Sequence, residues 1–265
     1  MGRSRILTAN WYDYPQYYDI AFQAYTLREA NFIEAACRKY CPFGAQRLLE
    51  PACGSGRLIT QLAARGYQMT GFDHSRRVLN YLRRRLSRRR LRAEIFEAEM
   101  SDFDIGRPVD AAYCTVNTFR YLLTDQAARG HLRCVASSLR PGGIYVLGFH
   151  LLPLDVDKMD TKRWTARRGK TKVTVTLRVL RVDHPARIEN LRVCLLARRG
   201  PEKFRLRHEC EIRMYTARQF RKLLDSVPSL ELCDVYDFRY DIERPLQLND
   251  KMAYTVFVLR RRPSS

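Results

Sequence analysis

Leu48-Leu49-Glu50-Pro51-Ala52-Cys53-Gly54-Ser55-Gly56-Arg57-Leu58 is the stretch on which the reading of this chain turns. Apolar residues run into an acid and a glycine-punctuated turn, and RLITQLAARG then continues with helical spacing, so the order is strand, turn, helix. Glycines at 54 and 56 let the backbone turn tightly and approach a ligand. The following helix start presents amide donors and a positive dipole end. Glu50 at the strand end offers a carboxylate to an ammonium or to ordered water. A ligand with both an amino and a carboxylate group suits this combination. A nicotinamide dinucleotide is the competitor, but its G-x-G-x-x-G fingerprint asks for Gly or Ala at 59, where Ile59 stands.

Working outward, the next strand ends in Gly71-Phe72-Asp73-His74. An acid there can accept from both hydroxyls of a ribose, and either Asp73 or Ser75 can also cap the next helix. Just past the third strand, Ala98-Glu99-Met100-Ser101-Asp102-Phe103 offers an acceptor for an adenine amino group and an apolar side chain for the ring. From Arg47 to Leu154 strands alternate with helices, which implies βαβ units and a parallel sheet. WYDYPQYYD (11–19), broken by Pro15, predicts a turn or short helix, with a longer helix only from about Phe22 onward.

These elements resemble the class I S-adenosylmethionine (SAM)-dependent methyltransferases. LLEPACGSGRL is similar to the family's glycine-rich motif, GFDHS to its ribose-binding acid, and AEMSDF to its adenine loop. DAAYCTVNTFRYL and LRPGGIYVL resemble its fourth strand and the turn into its fifth. Ala52 stands where many members have Gly, and Glu99 where many have Asp. The resemblance covers roughly residues 45–150 and implies a Rossmann-like, mostly parallel α/β sheet with an antiparallel last strand. It implies SAM as cofactor, with S-adenosylhomocysteine as product. The implied cofactor contacts are Glu50, Ala52, Cys53, Gly54, Gly56, Asp73, His74, Glu99, Met100, Ser101, Cys114 and Thr115, with Asn117 at the mouth of the cleft. Tyr17 and Tyr18 are candidates for the N-terminal tyrosine that often closes over the cofactor in this family.

Beyond residue 154 the texture changes to period-two alternation broken by RGK, DHPA and RGPE, which suits antiparallel strands. The expected organisation is an N-terminal helical cap (1–44), a SAM-binding core (45–154), an antiparallel β lid (155–214), and a last helix with final strands completing the core sheet (215–265). Many small-molecule members of the family carry such a lid, and no RNA-binding motif is present. Candidate acceptor contacts are Asn117, Tyr121, His150, Arg163 and Arg167. His150 and Tyr18 are candidate bases, needed if the nucleophile is a hydroxyl.

The net charge is +20, with arginine far ahead of lysine. A basic lid predicts a small acceptor bearing carboxylate or phosphate groups. RNA or protein methylation, or a non-catalytic SAM-binding module, are the alternatives. YLRRRLSRRRLR (81–92) reads as a helix with an apolar stripe and a solvated arginine face. The eight cysteines are scattered without C-x-x-C spacing, which predicts reduced thiols and no metal site. No apolar run approaches a membrane span and no signal-peptide core is visible, so a cytoplasmic protein is expected.

Overall fold

The computed structural model describes residues 6–152 and 161–263. The expected boundary between core and lid at 154/155 lies outside these residues, as do Ser264 and Ser265 of the tail. Two sheets share one long helix. The larger sheet has seven strands: β2 (Arg47–Pro51), β3 (Gln68–Asp73), β4 (Glu94–Glu97), β5 (Val109–Cys114), β6 (Leu139–His150), β11 (Leu230–Tyr236) and β12 (Tyr254–Arg261). Their order is β11-β12-β6-β5-β2-β3-β4, with β12 antiparallel to both neighbours and every other pair parallel. The chain reverses its direction of winding between β2 and β5, and their carboxyl ends open there into the crevice where such sheets bind ligands.

Both faces of this sheet are covered, so its central strands are apolar throughout, as buried parallel strands must be. Every residue of β5 is buried; Ala112 and Cys114 face one core while Ala111 and Tyr113 face the other. One layer holds α4 (Asp125–Ser138) and α5 (Ala217–Asp225). The other holds α1 (Pro15–Tyr40), α2 (Arg57–Ala63) and α3 (Arg76–Arg88). In α3, Val78, Leu79, Leu82 and Leu86 are buried, matching the expected stripe; each such side chain contributes about 1.5–3 kcal/mol by leaving water.

The insertion forms a five-stranded sheet. β7 (Thr161–Arg168), β8 (Thr171–Asp183), β9 (Ile188–Arg199) and β10 (Glu202–Arg213) make an antiparallel meander. The register aligns Trp164, Val175, Leu195 and Leu206 in one row across the four strands. That face packs on Trp11, Ile20 and Ala21 and on the rings of Tyr17, Tyr18 and Phe22.

Three expectations give way. Helix α1 begins at Pro15 and runs 26 residues. Proline fits the first helical position because its missing N–H would have no partner there and its φ is already set; the proline therefore starts the helix instead of breaking the segment. Only Trp11–Asp13 forms a separate 3-10 turn. Next, residues 1–44 do not behave as a purely helical cap: Ile6–Thr8 (β1) pairs in parallel with β10 and completes the insertion sheet. Lastly, LRPGG is already part of β6, which bends through Gly142 at φ +80°.

The basic helix is also less uniform than its sequence suggests. Arg85 donates to Asp19 at 2.5 Å, and Arg168 of β7 donates to the other oxygen of the same carboxylate at 2.5 Å. Asp19 is 2% exposed, so one buried acid on α1 ties together α3 and the insertion sheet.

Candidate active site

A cavity of about 620 Å³ opens at the carboxyl ends of β2, β3 and β5, within the usual range for small-ligand sites. Its floor is the turn after β2. Ala52, Gly54 and Gly56 all have positive φ (49°, 53° and 65°). Gly54 lies in the cavity wall. Gly56 does not: a Cβ there would sit 2.1 Å from Leu82, so this glycine serves close packing of α3 and the left-handed start of α2. Ala52 is in the same conformation with a methyl group, at a cost of about 1–2 kcal/mol that glycine avoids.

Glu50 reaches the cavity from the end of β2 and accepts a hydrogen bond from the Tyr113 hydroxyl at 3.1 Å. Burial pushes its carboxyl up to about 8, against the lowering influence of Arg57 and of the Tyr113 hydrogen bond. Arg57 is itself committed: it donates to Glu29 at 2.6 Å, and Thr115 donates to the same oxygen at 2.5 Å. Burial opposes the Arg57 charge, but Glu29 keeps its pKa above the ordinary value. Asp73, at the end of β3, accepts from the Gly54 amide at 3.0 Å through one oxygen and from the Ser75 amide at 3.0 Å through the other. It shapes the glycine turn while facing the cavity, and Ser75 is the residue that caps α3. His74, Glu99, Met100 and Thr115 complete this end of the wall.

The opposite end comes from three distant parts of the chain. The 3-10 turn supplies Tyr12 and Asp13, the loop after β5 (a 3-10 turn at Thr118–Tyr121) supplies Thr118 and Tyr121, and β10 supplies His208 and Cys210. The Tyr12 and Tyr121 hydroxyls are 3.0 Å apart, and Tyr121 lies 3.8 Å from the Cys210 sulfur. Tyr18 stands between the two ends with its ring edge against Trp11. Burial raises all three phenols, Tyr18 to about 12, so they remain protonated at neutral pH.

The structure thus brings together Tyr18, Glu50, Ala52, Cys53, Gly54, Asp73, His74, Glu99, Met100, Thr115 and Tyr121 of the expected residues. It leaves others outside the cavity wall. Tyr17 stacks on Phe204 instead. Cys114 is buried in the core behind Thr115. Ser101 faces a separate shallow pocket with Asp102 and Thr124.

Asn117 and His150 bind each other: Asn117 accepts from the His150 amide at 2.8 Å, and its side-chain nitrogen lies 3.3 Å from Nδ1. His150 is wedged against Phe238 and Tyr254, and burial lowers its pKa to about 3, aided by Arg120 and Lys162. It holds the ends of β5 and β6 together and does not reach the cavity. Arg163 and Arg167 project from the exposed face of β7, opposite the face of Trp164 and Ala166 that packs on α1. The period-two pattern that marked β7 as a strand also carried this information, because residues two apart share a face. Asp13, Tyr12, His208 and Cys210 went unnoticed because no local motif joins them.

The cavity has the donors and acceptors SAM requires. Glu50 matches an ammonium, Gly54 and Ser55 border the turn where a carboxylate would lie, and Asp73 keeps lone pairs for ribose hydroxyls. The Ser55 hydroxyl is buried without a partner among the described residues. Glu99 and Met100 follow for the adenine.

Comparison with known proteins bears on the domain and the fold. A methyltransferase domain model matches residues 48–143. The chain is 27% identical over 197 residues to a dTDP-3-amino-3,6-dideoxy-alpha-D-glucopyranose N,N-dimethyltransferase of Streptomyces fradiae, covering 74% of each protein. It is 24% identical over 120 residues to a putative methyltransferase of Geobacillus sp. (strain WCH70), spanning 45% of this chain and about half, 49%, of that relative. The fold superposes on a SAM-dependent methyltransferase from Clostridium acetobutylicum with a TM-score of 0.77, at 17% identity, covering 96% of this chain and 100% of the other. Residues 48–143 thus match a methyltransferase domain, and from the strand-turn-helix at Glu50–Gly56 to the antiparallel β12 the chain has the fold of the class I SAM-dependent methyltransferases.

Proposed function

We propose that this protein transfers the methyl group of SAM to an amine nitrogen of a small molecule. The observation that carries this reading is the charge of the cavity wall. Among the described lining residues the acids are Asp13, Glu50, Asp73 and Glu99, with Glu50 raised to about 8 by burial, and the arginine, Arg57, is paired with Glu29. With Glu50, Asp73 and Glu99 turned to the cofactor, Asp13 is the carboxylate at the other end, and it suits an acceptor that is cationic before it loses a proton. It does not suit the carboxylate- or phosphate-bearing acceptor that the basic composition predicts. The arginines lie elsewhere: Arg163, Arg167, Arg178, Arg198 and Arg205 share the outward face of the insertion sheet. The amino-sugar N,N-dimethyltransferase similarity supports an amine as the nucleophile.

Bound SAM would supply an electrophilic methyl group on a sulfonium with a good leaving group. The chain's own residues then have to hold two partners in line and exclude water, for which large effective molarities are available. Glu50 and Asp73 fix the cofactor end. The insertion sheet closes the other end with His208 and Cys210 and acts as a lid, while Tyr12 and Tyr121 present hydroxyls to a polar acceptor. Methyl-labelled SAM offered with matched amines and alcohols, including dTDP-3-amino sugars, tests the reading. Label is expected on amines; transfer to alcohols alone would refute it.

A second reading, methylation of RNA, draws on the outward basic face. Its signature is binding that falls steeply with salt as condensed counterions are released. That face lies across the sheet from the cavity, which favours the small-molecule reading.

A further inference from the structure

We infer that Asp13 and His208 form the acceptor's ammonium subsite, with Asp13 holding the cationic amine and His208 removing its proton before methyl transfer. This rests on the amine reading above. Both residues line the cavity, Asp13 on the Trp11–Asp13 turn and His208 on β10, and the turn packs against that strand. His208 belongs to the inward-facing set of β10 with Leu206 and Cys210, whereas Arg207 and Glu209 face away and pair with each other at 2.6 Å.

The ring is uncommitted. Nδ1 is shielded from solvent and has no hydrogen-bond partner among the described residues, and Nε2 likewise engages no described side chain or backbone atom. The contrast is His131, whose Nδ1 lies 2.9 Å from the Met100 carbonyl and whose Nε2 lies 2.7 Å from the Tyr145 hydroxyl. A satisfied core histidine looks like His131; His208 faces a cavity with a nitrogen to spare.

The titratable groups around it are Asp13 and Tyr12 on the turn, Tyr121 on the loop after β5 and Cys210 on its own strand. Burial lowers the His208 pKa, with Asp13 acting against this. The imidazole is therefore neutral at pH 7 and able to accept a proton, and the imidazolium that forms is opposed by a carboxylate. The neighbours are not competing bases. Tyr12, Tyr121 and Cys210 are all raised by burial and stay protonated.

The step balances without an added reagent. The acceptor R–NH3+ gives one proton to Nε2 and becomes R–NH2. Its lone pair then forms the N–C bond as the C–S bond breaks, with that electron pair passing to sulfur. The product leaves as a methylated ammonium, and His208 returns its proton to solvent. A primary amine has a pKa near that of lysine, ~10, so few acceptor molecules are neutral at pH 7 without help.

The test compares wild type, His208→Gln and Asp13→Asn with methyl-labelled SAM and a dTDP-3-amino sugar across pH 6 to 10. His208→Gln is expected to lower kcat at pH 7 by about 10²-fold, to recover towards wild type near pH 10, and to keep the wild-type SAM affinity. Asp13→Asn is expected mainly to raise the acceptor KM. A His208→Gln profile parallel to wild type at all pH values would overturn the subsite while leaving the amine reading intact. If wild type labels no amine at any pH, the amine reading itself falls and the subsite with it. A readout independent of turnover is the His208 imidazole NMR signal, assigned by its loss in His208→Gln. Adding the amine to the complex with S-adenosylhomocysteine should shift its titration; an unmoved signal would contradict the proposal.

Discussion

The two ends of the cavity are built on opposite plans. The end with Glu50, Gly54, Asp73, Glu99 and Met100 comes from one continuous run of strand-loop units, each delivering its side chain from a strand's carboxyl end. The end with Asp13, Tyr121 and His208 gathers residues nearly 200 positions apart, held by a 3-10 turn, a loop and the inner face of a separate sheet. Parallel-sheet geometry fixes the first end through backbone hydrogen bonds that vary little with side chain. The second depends on aromatic packing, and Tyr12, Tyr18, Trp11 and Tyr121 touch there by ring edges and hydroxyls. A cofactor common to a family calls for the first kind of construction, and an acceptor that differs between members calls for the second.

If this division is real, substitutions should separate cleanly by end. The largest effect on the cofactor belongs to Asp73→Ala, which removes a charged acceptor and frees the Gly54 and Ser75 amides that it organises. SAM affinity should fall by about 2–3 kcal/mol, read by calorimetry. Unchanged affinity would break the assignment of this end.

Glu50 gives a second, distinct signature. Its carboxyl is raised to about 8, so at pH 7 most free protein carries it protonated. An ammonium beside it favours the carboxylate, so SAM binding at pH 7 should release most of a proton, whereas at pH 9.5 Glu50 is already ionised and the largely neutral α-amino group of free SAM should take a proton up. Calorimetry in two buffers of different ionisation enthalpy measures this directly, and Glu50→Gln should abolish the release at pH 7. Equal uptake or release at both pH values would place the ammonium elsewhere.

At the acceptor end, Tyr121→Phe removes one hydroxyl of a paired set that keeps water or acceptor as alternatives. A KM increase of about 0.5–1.5 kcal/mol equivalent is expected, with SAM affinity unaltered. Smallest of all are Arg163→Ala and Arg167→Ala, which should change neither ligand by more than about 0.5 kcal/mol. A large loss there would return the acceptor to the outer face and favour a polyanion.

How much the sequence disclosed follows the same division. Leu48–Leu58, Gly71–His74 and Ala98–Phe103 pointed to the end of the cavity proposed for the cofactor because each motif sits within a few residues and the strand periodicity fixes where it points. The β strands of the insertion were equally legible from their alternation. What escaped is what contiguity does not encode. Pro15 could start a helix or interrupt one, and the choice depends on what precedes it. His150 and His208 both stand in strands, and only three-dimensional packing shows that one is locked by Asn117 while the other faces the cavity. Net charge pointed to an anionic acceptor, yet charge belongs to the whole surface and carries no address.

Whether the cavity joins SAM to a small-molecule amine is read by following the methyl group itself. Purified protein is incubated with methyl-labelled SAM and an extract divided into small-molecule, RNA and protein pools. Label should accumulate in low-molecular-weight compounds whose mass gain falls on an amine nitrogen, and Asp73→Ala should suppress it. Label confined to RNA or protein, or none in any pool despite tight SAM binding, would contradict the account.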